Sequence, residues 1–430
     1  MTPYENSEQF AVNSDSNDPL KDFREKFYHP ISNGKVVIYF NGNSLGLQPK
    51  NAQEYILREL EDWATFGVEG HFQARMPWFY YQDFLTEQCA MLLGAKPVEV
   101  IAMNSLTTNL HLLLVSFYRP TKDRFKIICE FDAFPSDIYT LQSQVIHHGF
   151  NPEEAIISLK PRPGEYLLRD EDILDAINEH KDSLATVMFG AVNYYTGQFF
   201  NLKKITHAAH SAGATAGYNL AHAAGNVILK LNEWNVDYAC FCGYKYLNAG
   251  PGGVSGIFVN ERFADDKSIN RFAGWWGNDP DTRFTMPRSF IPAHGARGWQ
   301  LSNAPVLSMA ALKASLDIFS EAGIERMRKK SEKLTGFLEY IVNDINNRFT
   351  KSGKEPPVKI ISPTEPGNRG CQLSFVINKD GKNLFNKLTE SGVISDWREP
   401  DVLRAAPVPL YNSFEDVFRF GQLLERLLNS

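Results

Sequence analysis

Between about residue 100 and residue 260, short runs rich in β-branched residues alternate with stretches of helical period, and this alternation leaves few folds open. A chain that goes strand, helix, strand places its helices on the faces of a parallel sheet, whose interior strands then read as nearly continuous apolar runs. Seven runs fit: 98–103 (VEVIAM), 126–130 (KIICE), 155–159 (AIISL), 184–192 (LATVMFGAV), 214–220 (ATAGYNL), 237–242 (DYACFC) and 253–260 (GVSGIFVN). Segments 170–183 and 201–213 carry the 3.6-residue apolar period of flanking helices. The expected core is one large α/β unit with a mostly parallel sheet.

After Trp299 the pattern changes. A helical run from 305 to 347, interrupted near Gly323, leads into shorter mixed elements at 369–377, 383–392 and 401–410, and a final amphipathic helix at 413–428. These predict a smaller α+β domain at the C-terminal end. Segment 352–370 contains Pro356, Pro357, Pro363 and Pro366 and reads as an exposed connection around one strand. The division expected is a large domain over 51–305 and a small one over 306–430, with residues 1–50 as an N-terminal segment packing against the small domain.

Composition removes several function classes. Lys and Arg number 44 against 50 Asp and Glu, a formal net charge of −6, and the charges are interspersed, so no basic surface is available for nucleic acid. The longest apolar stretch, 110–118, is about half the ~20 residues that cross a bilayer. The first thirty residues are polar and acidic and lack the basic start and apolar middle of a secretion signal. The five cysteines are odd in number and lie mostly in apolar runs, which fits a reducing cytoplasm and buried thiols. Cys240 and Cys242 form C-x-C with no histidine cluster to complete a metal set, so no metal is expected.

Three features carry chemistry. In FCGYKYLNAGPGG (241–253) an apolar strand ends at Lys245, set between Tyr244 and Tyr246 before a glycine-rich turn. A buried amine has a lowered pKa and becomes nucleophilic enough to form a Schiff base with an aldehyde; a lysine snorkelling at a sheet edge fits the same string equally well. GYNLAHAAGN (217–226) places Asn219 and His222 at the carboxyl end of another strand, where ligands bind in open α/β sheets, although a lone histidine also serves as a structural donor. NSLTTNLH (104–111) follows a strand and opens a helix, offering hydroxyls and free amides of the kind that hold phosphate or simply cap the helix. Together they point to pyridoxal phosphate: an amine for its aldehyde, a polar partner for its ring nitrogen, a helix start for its phosphate.

The sequence also resembles the kynureninase family, within the aspartate aminotransferase-like enzymes, from about Tyr39 to the C-terminus. The strings that carry the resemblance include YFNGNSLGLQPK, GVEGHFQARMPW, MNSLTTNLHLLLVSFYRP, AFPSD, NYYTGQ, LAHAAGN, YKYLNAGPGG, GWWGNDPDTRF, WQLSNAPVL and DWREPDVLRAAPVPLYNSFEDV. The resemblance implies the fold type I architecture of pyridoxal phosphate enzymes and hydrolytic cleavage of L-kynurenine or 3-hydroxy-L-kynurenine to the anthranilate and L-alanine. It implies roles as well: Lys245 bonded to the cofactor and shuttling protons, and Leu106, Thr107 and Tyr244 at its phosphate. Phe134 in the Phe134-Pro135-Ser136-Asp137 string would stack on the pyridine ring, with Asp137 near its nitrogen and His222 touching the cofactor. Trp275 and Asn303 match residues that reach the neighbouring subunit's phosphate, implying a homodimer. Arg404 matches the grip on the substrate α-carboxylate, and His71, Ser44 and Ser302 match positions around the substrate's aromatic ring.

One departure bears on catalysis. The family pattern has aspartate where this chain has Asn219, and that carboxylate keeps the ring nitrogen protonated. An amide supplies no such charge, so turnover should suffer unless Asp137 compensates. Two smaller departures are Gly243, where serine is commoner, and Asn278, where a ring often follows GWWG. The competing expectations are a weakened or non-catalytic relative, and another fold type I enzyme such as a β-lyase, an aminotransferase or a cysteine desulfurase. A pure binding protein would leave the lysine, the phosphate site and Arg404 unexplained.

Overall fold

The computed structural model describes residues 4–131 and 133–429; residues 1–3, 132 and 430, which fall within the segments expected above, lie outside the described residues. Each of the seven apolar runs contains one strand: β1 (Val100–Ala102), β2 (Lys126–Glu130), β3 (Ile156–Leu159), β4 (Leu184–Gly190), β5 (Thr215–Asn219), β6 (Tyr238–Phe241) and β7 (Gly256–Val259). They form one sheet in the order β1-β7-β6-β5-β4-β2-β3. The strands from β6 across to β3 pair in parallel, and only β7 runs against its neighbours. The reason lies in the connection: no helix intervenes between β6 and β7, so the chain turns back beside itself instead of crossing over.

Successive residues of these strands face opposite sides, and each side has its own apolar core. Ile128, Phe189, Tyr218 and Phe241 enter one core. Ile127, Cys129, Tyr238 and Cys240 enter the other, joined by helix α1 (Leu106–Phe117) and helix α2 (Pro135–His147). Helix α1 buries Leu110, Leu113, Leu114 and Phe117, the i, i+3, i+4, i+7 spacing that gives a helix one apolar face. Each such side chain contributes about 1.5–3 kcal/mol on burial.

The helical run after residue 305 breaks at Gly323, whose φ of +74° ends α3 (Val306–Ala322) and starts α4 (Ile324–Lys351). Helix α3 packs into the first core of the sheet through Met309, Leu312, Leu316 and Phe319. Helix α4 bridges: Ile324 and Met327 belong to that core, whereas Leu334, Phe337, Leu338 and Ile341 belong to a separate one. The boundary expected at 306 therefore precedes a helix that shares the sheet's core, and the apolar contacts change hands inside α4.

The separate core is built on a four-stranded antiparallel sheet of β8 (Val358–Ile360), β9 (Leu373–Ile377), β10 (Asp396–Arg398) and β11 (Val402–Ala405), in the order β8-β9-β11-β10. Helix α5 (Phe414–Leu428) closes it, capped by Ser413 and Asp416 in a reciprocal box. The N-terminal chain, expected to pack against this part, divides between the two: Leu20, Phe23, Phe27, Val37 and Leu47 enter the first core of the large sheet, and Ala11, Ile38 and Phe40 enter this one. Asp15 at the end of helix Glu8–Ser16 accepts the amides of Phe414 and Glu415 at 2.8 and 2.9 Å. Ile38–Tyr39 pairs in parallel with Val393–Ile394, and Asp18 meets Lys330 of α4 at 2.6 Å with both side chains buried.

Candidate active site

The carboxyl ends of β2, β4, β5 and β6 open on one cavity of about 250 Å³. Strand β6 ends at Phe241, and the next residues carry Lys245 to its wall. Gly243 permits this turn, because a side-chain carbon there would stand 2.2 Å from the carbonyl oxygen of Val254. The departure noted at Gly243 is in this backbone a matter of close approach. Gly46 acts similarly from outside: its amide donates to the Tyr244 carbonyl at 2.9 Å, and a side chain would collide with the Lys245 carbonyl.

Lys245 Nζ lies 3.2 Å from His222 Nε2 and 5.6 Å from the centroid of the Phe134 ring. Burial lowers the amine's pKa from the ordinary lysine value, an effect partly opposed by the Cys242 thiol and Asp137. Burial also holds His222 well below the usual histidine range, reinforced by Lys245, Arg404 and Arg398, so its ring is neutral and can accept the amine's hydrogen. The other ring nitrogen of His222, Nδ1, is buried without a hydrogen-bond partner.

Across the cavity, Asn219 at the end of β5 donates from Nδ2 to Asp137 Oδ2 at 2.7 Å, and its Oδ1 accepts the Ala221 amide at 2.8 Å. Both ends of the amide are thus committed, and its orientation is fixed. Asp137 lies in the first turn of α2, and burial lifts its carboxyl to about 6 against the pull of Asn219, Lys245 and Ser136. Glu130 is a cavity residue that no motif in the sequence singles out. This carboxyl at the end of β2 takes the Gly190 amide on Oε1 at 2.9 Å and leaves Oε2 buried and unpartnered. Burial raises it to about 8. Its only sequence signal is a charged residue closing an apolar strand.

Helix α1 begins at the cavity wall. Asn104, at φ +48°, makes the turn out of β1, and Asn109 locks it by accepting from Asn104 Nδ2 at 3.1 Å and donating to the Met103 carbonyl at 2.9 Å. Leu106 and Thr107 follow with the first-turn amides that a helix leaves unpaired.

Of the residues expected at the site, Leu106, Thr107, Phe134, Ser136, Asp137, Asn219, His222, Tyr244 and Lys245 line this cavity. Pro135 opens α2 beside them. Arg404 lies on β11, buried, with its Nη1 on the Tyr194 carbonyl and its Nη2 on Asp396; Tyr194 is itself a cavity residue. Ser44 sits in the segment packed on the lysine turn through Gly46. Within the single chain His71, Trp275, Ser302 and Asn303 are not in the cavity wall. His71 lies edge-on to Trp78 at 5.6 Å, Trp275 is 41% exposed, and Ser302 and Asn303 are exposed. Asn278 is a buried structural acceptor for the Ile291 amide at 2.8 Å.

A family model described as Aminotransferase class-V matches residues 81–364, and one described as Kynureninase C-terminal domain matches 327–424. A kynureninase of Flavobacterium psychrophilum is 51% identical over 423 residues, covering 98% of each chain. That of Myxococcus xanthus is 52% identical over 427 residues, 99% of this chain and 98% of its own. The chain belongs to the kynureninase family. The kynureninase of Mus musculus is 44% identical over 435 residues, 98% of this chain and 94% of its own. Among solved structures, a mutant of the lyase C-DES with glycine linked to its pyridoxal phosphate cofactor superposes with a TM-score of 0.76 at 18% identity, covering 90% of this chain and 96% of its own. A cysteine desulfurase of Thermococcus onnurineus gives 0.76 at 18% identity, with 96% and 98% covered; these two matches establish the shared fold.

Pyridoxal phosphate is the cofactor of kynureninases, and the residues present fit it. The cavity offers an amine of lowered pKa, an aromatic face at Phe134, unpaired amides at a helix start and a buried carboxyl at Asp137. The open nitrogen of His222 and open oxygen of Glu130 are buried polar atoms that a polar guest would satisfy.

Proposed function

We propose that this chain hydrolyses the Cβ–Cγ bond of L-kynurenine or 3-hydroxy-L-kynurenine, releasing L-alanine and the anthranilate. The observation that carries the assignment of roles is the Lys245 amine, poised against a neutral His222 inside a cavity whose far wall is the Asp137–Asn219 pair. When bound, pyridoxal phosphate supplies an electron-accepting ring. Lys245 would hold the cofactor, and as a free amine of lowered pKa it would take and return the proton at the substrate's Cα. His222, uncharged, accepts from that amine without adding a competing cation. Leu106, Thr107 and Tyr244 hold the phosphate, Phe134 supports the ring face, and Asp137 supplies the negative charge at the ring nitrogen. Arg404 grips the α-carboxylate with a planar fork, and Ser44, His71 and Ser302 contact the aromatic end of the substrate.

A homodimer belongs to this reading, with Trp275 and Asn303 serving the partner's site. It is supported by an exposed aromatic patch in which Trp275 meets Phe284 at 6.0 Å and Phe79 joins Phe284 to Phe72; Phe72, Phe284 and Met286 are all more than half exposed. A cytoplasmic location fits five buried cysteines and described helices none of which is long and apolar enough to cross a membrane. The buried cysteines also argue against desulfurase chemistry, since burial raises the pKa of every thiol.

Asn219 favours a second reading, a kynureninase of reduced turnover. The test of the main reading is to load the purified protein with pyridoxal phosphate and follow anthranilate fluorescence and alanine release from L-kynurenine. Lys245→Ala should abolish both the visible absorbance of the bound cofactor and the release. A loaded protein that processes neither substrate yet converts another amino acid would refute the assignment.

A further inference from the structure

Arg404 does not stand alone. In the antiparallel pairing of β10 and β11 Asp396 lies directly opposite it, and the Asp396 carboxylate is held from two sides, by Arg404 Nη2 and by Arg398 Nη2, the latter at 2.9 Å. Both guanidiniums face the Tyr194 ring, 5.8 Å from its centroid for Arg404 and 6.0 Å for Arg398. That ring stands edge-on to Phe134 at 5.3 Å, and Phe134 lies under the Lys245 amine. One aromatic residue thus joins the arginine pair to the cavity.

The charge count decides what the cluster can do. Arg404 and Asp396 by themselves cancel, and a neutral buried pair has little attraction left for an incoming anion. Two guanidiniums against one carboxylate leave one positive charge. The Nε atoms of Arg404 and of Arg398 are both buried without a hydrogen-bond partner, so each arginine keeps an open donor after binding Asp396. Arg404 is almost wholly enclosed, at 1% side-chain exposure, whereas Arg398 is at 35%.

Resting on the functional reading above, we propose that Asp396 and Arg398 complete a carboxylate-binding triad with Arg404: Asp396 fixes the fork, and Arg398 offsets Asp396 so that the charge of Arg404 stays available to the α-carboxylate of an amino acid. Asp396 and Arg398 are positioning residues. Their contribution is specific to ligands that carry a carboxylate.

The test uses cofactor-loaded protein and two probes read by the change in visible absorbance: L-alanine, and alaninol, the same amine with an alcohol in place of the carboxylate. Arg398→Gln should weaken L-alanine by about tenfold, the size of one charge-assisted contact, and leave alaninol unchanged. Arg398→Lys should recover most of the loss. Asp396→Asn should weaken L-alanine alone, through a fork no longer held. With kynurenine the same variants should raise KM while kcat holds. Equal weakening of both probes by Arg398→Gln, or no weakening while Arg404→Gln abolishes L-alanine binding, would overturn the triad. If Arg404→Gln itself leaves L-alanine binding intact, the role given to Arg404 in the functional reading falls, and the triad with it.

Discussion

Asn219 is tied to the protein at both ends of its amide, with Nδ2 donating to Asp137 and Oδ1 accepting from the Ala221 amide. As an amide it supplies no charge; a carboxylate at 219 would keep the Ala221 contact, lose the donor and repel Asp137, a repulsion that a protonated ring nitrogen relieves. Asp137 is consequently the charge on which this site depends. Asp137→Asn should lower kcat by about a hundredfold or more, as expected for loss of a charge in a low-dielectric site, and should shift the visible absorbance of the bound cofactor. Asn219→Asp should raise kcat by about tenfold per unit gained in the ring nitrogen's pKa. Steady-state assays of the two variants check both directions, and an unchanged rate in Asn219→Asp would remove the handicap assigned to the amide. Glu130 permits a test free of cofactor. Its folded pKa, about 8, lies above the unfolded carboxyl value of about 4.5, so the native protein holds a proton across that window and its stability falls as pH rises through it. Glu130→Gln removes the penalty. Thermal melts of the cofactor-free variant and parent should diverge as pH goes from 5 to 8, with the variant gaining.

At the scale of elements, the sheet is legible because strands buried on both faces announce themselves as apolar runs, and each run from 98 to 260 contains one strand. The break at Gly323 is legible for a similar local reason: its left-handed backbone suits glycine. The pairing of Asp396 with Arg404 is not. It depends on the register of two short strands, and nothing local in DWREPDVLRAA says which residues face each other. Glu130 escapes notice because a strand-end glutamate looks alike whether it turns to solvent or to a cavity. The union of the N-terminal chain with α4 is equally hidden, since Asp18 and Lys330 are separated by most of the sequence. Burial pulls the Lys330 pKa down, and Asp18 is the main group opposing that pull. Asp18→Ala would strand a buried charge and should cost about 3–5 kcal/mol, whereas combining Asp18→Ala with Lys330→Met should recover most of it. Chemical denaturation of the single and double variants measures the difference.

At the scale of the whole molecule, the chain builds an apolar core on each face of the seven-stranded sheet and another on the four-stranded sheet, with α4 running from the first of these into the last. The expected division at 306 does not register this because α3 and α4 read together as one helical run, and which core a helix joins is a matter of long-range packing. The functional groups are divided in the same way. Lys245, His222, Asp137 and Asn219 stand on the seven-stranded sheet and the segments that follow its strands, and Arg404 with its two partners stands on the four-stranded one. On the proposed roles, a small amino acid held by its nitrogen on one side and its carboxylate on the other would be a cross-strut between halves already joined by α4 and by a backbone bridge between Gln198 and Arg369. Its occupancy should register as mechanical reinforcement of the entire fold: at a hundredfold excess over its dissociation constant, L-alanine should add about 2.7 kcal/mol to the loaded protein. Hydrogen exchange should slow along both sheets together, and alaninol, anchored at one end only, should quiet just the half it grips.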